Sequence, residues 1–325
     1  MRSWQVRKHG ELRDALQIVE AAAPVPASGM LRVRVAASGL GLPDLLMCRG
    51  SYPLTPPLPF TPGQELVGVV TAVGENSETR LGARVMAVSG FMLGRGGFAE
   101  EALALDEFAL PVPESMSDAE AAGFLIPYHT AYVALVTRGE LRAGETLLVL
   151  GAAGGSGSAA LQLGRALGAR VLATAGGSEK LEFCRRLGAE LVIDYRARDI
   201  AEAALEATEG RGADVIYDAV GGDAFTAATR CIARGGRLLA VGFASGQWGT
   251  PSVAHMALRN YSVVGVMTGS YGRAFNHAAH QALLSHQRRG EIHVPIHRTL
   301  AFDDLAEGLE ELARGRVMGK MVLAV

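Results

Sequence analysis

The sequence predicts an α/β protein, a doubly wound parallel sheet joined to a β-rich unit. Three observations carry that prediction. Residues 145–157 read E-T-L-L-V-L-G-A-A-G-G-S-G, an apolar run (Thr146 to Leu150) entering a glycine cluster, with a small-residue helix (Ser158 to Leu167) behind it. From there strand-like and helix-like segments alternate, which implies parallel strands with crossovers. The region before it, up to residue 120, shows short Val-rich runs and period-two alternation, the pattern of half-buried strands.

Taken in order, Leu31 to Ala36 reads L-R-V-R-V-A and alternates cleanly. Leu66 to Val73 and Arg84 to Val88 are further strands. Tyr52 to Pro62 holds Pro53, Pro56, Pro57, Pro59 and Pro62, which makes it extended and excludes a helix. Ser117-Asp118-Ala119-Glu120 fits a capping box and opens a helical stretch through Val136, interrupted near Pro127. The predicted parallel strands are Leu147–Leu150, Val171–Ala175, Leu191–Ile193, Val215–Tyr217, Arg237–Val241 and Ser262–Val266. Helices are expected over Lys180–Leu187 and Asp199–Ala207 between them. Later helices are expected over Ala274–Arg289 and Phe302–Ala313, and a last strand over Lys320–Ala324. The expected division is a β-rich unit of residues 1–120 and 267–325 and a dinucleotide-binding unit of residues 121–266.

Composition narrows the function. The chain has 325 residues, 31 basic against 33 acidic, so it presents no basic surface for nucleic acid. Its apolar runs are strand-sized, too short to span a bilayer. Met1 to His9 has no apolar core of a signal peptide, and a cytoplasmic protein is expected. Cys48, Cys184 and Cys231 are far apart and suggest neither disulfides nor a metal cluster.

The glycine turn is the strongest chemical signal. A pyrophosphate reaches backbone N–H groups at a helix N-terminus only where no Cβ intervenes, which points to dinucleotide binding by Ala153, Gly154, Gly155, Ser156 and Gly157. NAD-specific folds place an acid at the end of the second strand, about 20 residues beyond the turn. Here that place reads A-G-G-S-E-K (175–180). Ser178 can donate a hydrogen bond and Lys180 can neutralise a phosphate, so NADPH is the expected cofactor.

P-D-L-L-M-C-R-G-S-Y-P (43–53), P-P-L-P-F-T-P-G-Q-E-L-V-G-V-V (56–70), T-A-Y-V-A-L (130–135), G-A-A-G-G-S-G (151–157), V-G-F-A-S-G (241–246) and M-G-K-M-V-L (318–323) occur in this order. Together they resemble the medium-chain dehydrogenase/reductase superfamily, in its zinc-free NADPH:quinone oxidoreductase, zeta-crystallin-like branch. The resemblance implies a Rossmann sheet with a GroES-like catalytic domain. It implies cofactor contacts from Thr130, Lys180, Tyr195, Gly242, Phe243, Ala244 and Lys320. Zinc-dependent members carry Cys and His ligands where this chain has Gly41-Leu42-Pro43-Asp44 and Gly63-Gln64-Glu65, so no metal is expected. Many quinone reductases carry Asn where this chain has Gly41.

The implied reaction is hydride transfer to a quinone or an α,β-unsaturated carbonyl. An enoyl thioester reductase is the enzymatic alternative, and a dinucleotide-binding structural or regulatory protein the non-enzymatic one. Tyr52, in the loop resembling the family's substrate loop, is the leading donor for a developing oxyanion. Gln64, at the lost zinc-ligand position, either orients substrate or bonds the loop backbone. Asp44 matches a family acidic position or caps the following turn. His129 reads as structural rather than as a proton-transfer group, and His277, His280 and His286 are expected on a solvated helical face. The apolar edge strand at Ser262–Val266 predicts a homodimer.

Overall fold

The chain opens with an antiparallel pair, β1 (Arg2–Val6) and β2 (Leu16–Glu20), on either side of the short α1 (Leu12–Ala15). This computed structural model describes residues 1–325 and divides into two units: Met1–Ile126 with Gly272–Ala278 and Val294–Val325, and Pro127–Tyr271 with Ala279–His293.

In the first unit the main strands are β3 (Met30–Leu40), then, after α2 (Leu42–Cys48), β4 (Glu65–Val73), β5 (Arg84–Ser89) and β6 (Glu101–Pro111). β3 is long enough to serve two neighbours on one side. Its residues 30–34 pair with β6, closing a small barrel, and residues 37–40 pair with the C-terminal strand. Closure leaves those strands without an open edge. Leu31, Val33 and Val35 point inward with Leu66, Val70 and Val85, and the exposed Arg34 points out, as period-two alternation requires. Ser117 caps α3 (Asp118–Ala122), with Glu120 returning a bond to its backbone.

The second unit begins within α4 (Leu125–Tyr132), which continues as a π-helical turn over Val133–Arg138. Its parallel strands are β7 (Thr146–Leu150), β8 (Arg170–Ala175), β9 (Leu191–Asp194), β10 (Ala213–Asp218), β11 (Ile232–Ala240) and β12 (Ser262–Gly265), in spatial order β12-β11-β10-β7-β8-β9. The intervening helices are α5 (Gly155–Ala166), α6 (Ser178–Arg186), α7 (Ile200–Ala207), α8 (Gly222–Arg230) and α9 (Val253–Arg259). Every residue of the central β7 is buried, as a strand covered on both faces should be. Strand order reverses between β7 and β10, and ligands bind such sheets outside the carboxyl ends of the strands at that switch. Beyond α10 (Arg273–Arg288), β13 (Ile296–Leu300), α11 (Leu305–Ala313) and β14 (Lys320–Ala324) complete the chain, and β13 and β14 extend the first unit's sheet.

Three features differ from the sequence expectation. The helix break falls at Gly123–Phe124, not near Pro127. A Cβ at Gly123 would lie 3.0 Å from Val294, while Pro127 sits in the first turn of α4, where its missing N–H has no helical partner to lose. Residues 279–293, expected with the β-rich unit, cluster with the parallel sheet. Ala279, Leu283 and Leu284 are buried, and His293 N–H donates to Gln162 Oε1 at 3.0 Å. His280 is buried rather than solvated.

Candidate functional site

The glycine turn leaves several backbone donors unsatisfied. Gly151, at φ +64, donates to Thr174 Oγ1, and Ala152 donates to the Thr174 carbonyl, so the start of the turn is tied to β8. Gly154 is the N-cap of α5 and offers no side chain. The N–H groups of Gly155, Ser156 and Gly157 then have no acceptor within the protein. A Cβ on Gly157 would lie 2.3 Å from the Gly151 carbonyl oxygen, so glycine is required for the helix to start this close to the strand. Three convergent N–H groups at the positive end of a helix form an anion site.

At the end of β8 the chain turns through Gly176 and Gly177 into α6, and no carboxylate occupies the strand end. Ser178 is exposed and Lys180 half-buried. The Tyr195 ring and the Arg196 side chain lie over Gly176, where a Cβ would come within 2.7 Å of both. Burial and the nearby Arg196 cation both lower the Lys180 pKa. The Arg196 guanidinium makes no hydrogen bond or ion pair with the protein. Sequence reasoning missed Arg196, although it directly follows Tyr195 in the I-D-Y-R segment.

Beyond β11, the N–H groups of Gly242 and Ala244 are taken by the carbonyls of Asp218 and Ala219. Of the three expected backbone contacts, only Phe243 keeps a free N–H. Its ring stacks on Trp248 with centroids 4.7 Å apart. The Thr130 hydroxyl does not bond back to its own helix and stays available.

In the first unit, Asp44 is fully buried. One carboxylate oxygen accepts from Gly63 N (3.0 Å) and Gln64 N (3.1 Å), and the other from Gly41 N (2.9 Å). Burial pushes its carboxyl up to about 7, against the opposing pull of those N–H bonds and of Lys320. Asp44 therefore holds the start of α2 to the 63–64 loop, the capping arrangement that was the alternative to a catalytic role. It also sets the backbone beneath Gln64. The Gln64 side chain is only 8% exposed, yet its amide has no partner within the protein. Such an amide offers a donor and an acceptor to a ligand. Tyr52 packs its ring on the apolar core, and its hydroxyl is likewise unpaired.

Lys320 also departs from expectation. It is buried, and Nζ bonds Glu65 Oε1 at 2.6 Å and the Leu40 carbonyl at 2.8 Å. Glu65 Oε2 accepts from Ile126 N at 3.0 Å. The ammonium is thus engaged in a buried ion pair joining β4 to β14.

His129 Nε2 lies 3.4 Å from His280 Nδ1 in the second unit. Burial, then the neighbouring His280, holds His129 down at about 3, so it is neutral near pH 7 and poorly suited to proton transfer. Burial pushes the thiols of Cys48, Cys184 and Cys231 up to about 12, which removes them as nucleophiles. No three His, Cys, Asp or Glu side chains are grouped so as to hold a metal ion.

A parallel sheet with open N–H groups at its switch point, in one chain with a barrel that presents polar side chains, defines a dinucleotide-dependent oxidoreductase class. Two family models match the chain: the alcohol dehydrogenase GroES-like domain over residues 27–114 and the zinc-binding dehydrogenase over residues 155–284. The chain is 34% identical over 302 residues to quinone oxidoreductase-like protein 2 homolog of Nematostella vectensis, spanning 91% of this chain and 82% of that protein. It is 32% identical over 332 residues to a phenolphthiocerol/phthiocerol polyketide synthase polypeptide of Mycobacterium tuberculosis, spanning 99% of this chain but 15% of that protein. Escherichia coli quinone oxidoreductase, solved in complex with NADPH, superimposes with a TM-score of 0.93 at 28% identity, with 100% of each chain covered. The chain belongs to the medium-chain dehydrogenase/reductase superfamily, in its zinc-free quinone oxidoreductase branch, and is an oxidoreductase.

Proposed function

We propose that the chain is an NADPH-dependent reductase that delivers hydride to a quinone or an α,β-unsaturated carbonyl. The observation carrying this reading is the end of β8, where no carboxylate stands, Lys180 lies in the first turn of the next helix and Tyr195 and Arg196 lie over Gly176. The 2′-phosphate of NADPH would be held there, with Ser178 and Tyr195. The N–H groups of Gly155, Ser156 and Gly157 would hold the pyrophosphate, with Ala153 and Gly154 shaping the turn. Thr130 and the Phe243 N–H would hold the nicotinamide end. The bound cofactor supplies the hydride. Gln64 and Tyr52 would donate to the acceptor's carbonyl oxygen as negative charge develops there. Asp44 would position Gln64 through its two bonds to the 63–64 backbone.

NADPH oxidation followed with a panel of quinones, enones and enoyl thioesters tests the reading. Turnover of quinones or enones supports it. Turnover of enoyl thioesters alone would shift it to the second reading, which the likeness to a segment of the polyketide synthase favours. No turnover of any acceptor despite NADPH binding would overturn both.

The same reading includes a homodimer. β12 is the edge of its sheet, and Val253, Leu258 and Met267 nearby are exposed. An open apolar edge is stable in solution when a second copy covers it. Val264→Pro should lower the molar mass found by light scattering to that of one chain. A monomeric wild type at micromolar concentration would refute the dimer. No helix is long and apolar enough to cross a membrane.

A further inference from the structure

Tyr217 lies in β10, beside β7, and is fully buried. Its hydroxyl is 2.5 Å from Ser156 Oγ, in the first turn of α5. That serine is the phenol's hydrogen-bond partner, and without it the buried hydroxyl would have none within the protein. A purely packing role here would be met by phenylalanine, which carries no polar atom to satisfy. The hydroxyl therefore serves the turn.

The direction of the bond follows from the chemistry of the two groups. A phenol is the better donor of the pair and an aliphatic hydroxyl the better acceptor. Burial raises the Tyr217 pKa further, so the phenol keeps its proton. When Ser156 Oγ accepts that proton, its own proton must point to a different acceptor. Ser158 Oγ, the other hydroxyl in this turn, donates to the Gly155 carbonyl at 3.1 Å and makes no bond with Ser156. Ser156 Oγ has no hydrogen-bond partner in the protein besides Tyr217, so its proton is left for a group outside the chain.

We propose that Tyr217 is a positioning residue for the phosphate-binding turn: its buried hydroxyl donates to Ser156 and turns the serine's own proton toward a pyrophosphate oxygen of the dinucleotide. The inference rests on the reading that the dinucleotide's pyrophosphate sits at this turn. It adds a fourth donor to the three backbone N–H groups, one that exists only because a side chain on another strand orients it. Charge-assisted donors of this kind are the stronger ones, and a pre-oriented hydroxyl loses little freedom on binding.

The test is equilibrium binding to the full chain, read by NADPH fluorescence and calorimetry, for wild type, Tyr217→Phe, Ser156→Ala and the double variant. The expected result is a roughly 5- to 20-fold rise in the NADPH dissociation constant for either single variant, with the double variant no weaker than the worse single one. Affinity for 2′-AMP, which has no pyrophosphate, should not change. In turnover, KM for NADPH should rise with kcat nearly constant, which a general loss of structure would not produce. If Tyr217→Phe binds NADPH like the wild type, or if the two single effects add, the proposal is overturned. Ser156→Ala, at a half-buried position, supplies the decisive comparison if Tyr217→Phe does not fold, because unchanged NADPH affinity in it also overturns the proposal. Failure of the underlying reading looks different: wild-type chain then binds neither NADPH nor 2′-AMP.

Discussion

The first turn of α5 and the Glu65–Lys320 pair both gather strong polar groups, and they use them in opposite ways. At the turn, three backbone N–H groups are left without partners inside the protein. Around Glu65, every strong group is matched: Lys320 Nζ by a carboxylate oxygen and a carbonyl, the other carboxylate oxygen by Ile126 N. Donors with no acceptor inside the protein are open to an anion at the positive end of a helix, so they mark a binding site. Buried charges paired this closely with one another serve the fold. Asp44 belongs with the second kind, because three backbone N–H groups already surround its carboxylate. Gln64, whose backbone N–H makes one of those bonds, belongs with the first through its side-chain amide.

The comparison breaks most sharply if the saturated pair is cut. Lys320→Ala leaves Glu65 buried and uncompensated, and denaturant unfolding should show a loss of about 3–5 kcal/mol. Lys320→Met combined with Glu65→Gln should lose much less, since no naked charge remains. A Lys320→Ala variant of wild-type stability but weakened NADPH binding would move Lys320 back to the cofactor site.

Cutting the open site should do the reverse, changing binding more than stability. Lys180→Ala should weaken NADPH by about 1.5–3 kcal/mol, the range for hydrogen bonds to charged groups, and leave NADH nearly unchanged. Titration of both cofactors checks it, and equal wild-type affinities for NADPH and NADH would remove the basis for the 2′-phosphate pocket.

His129 offers a third kind of buried polar group, satisfied only while neutral. Its pKa is held down at about 3 in the folded chain, against 6.5 unperturbed. The native state thus binds fewer protons than the unfolded one between those values. The stabilising contribution is complete above pH 6.5 and is lost as pH falls toward 3, by about 2 kcal/mol at pH 5. Denaturant midpoints at pH 7.5 and pH 5 should therefore differ less in His129→Leu than in the wild type. Asp44 runs the other way. Its folded pKa is raised from 3.8 to about 7, so its contribution is complete below pH 3.8 and fades as pH rises toward 7. An equal midpoint difference in His129→Leu and wild type would show that the imidazole pair does not govern the acid limb.

The smallest expected effect is at Arg196, which is exposed and screened. Arg196→Ala should weaken NADPH by up to about 1 kcal/mol, less at high salt than at low. A loss as large as that of Lys180→Ala would place the guanidinium in direct contact with the phosphate.

The sequence by itself determined the elements whose signal is local. The strand, glycine turn and helix at 146–166 are legible because strand burial, the ban on a Cβ and the open helix end all act within a few residues. The capping box at Ser117 and the inward alternation of β3 are legible for the same reason. The order of motifs identified the superfamily, and the bare strand end at Ala175 pointed to NADPH. Tertiary structure alone decided whatever depends on partners distant in the chain. Lys320 looks like any cofactor lysine until Glu65, 255 positions earlier, is found against it. His280 reads as a surface histidine until His129 closes over it. β1, β2 and β6 carry too little pattern to be singled out and become strands by pairing. Ser156 is one of several small residues in the turn until Tyr217, 61 positions later, fixes the direction of its proton. The physical reason is shared: a local signal is set by short-range sterics, whereas a weak strand is fixed by the strand it pairs with and a buried polar group by whichever polar group the fold brings within hydrogen-bond reach.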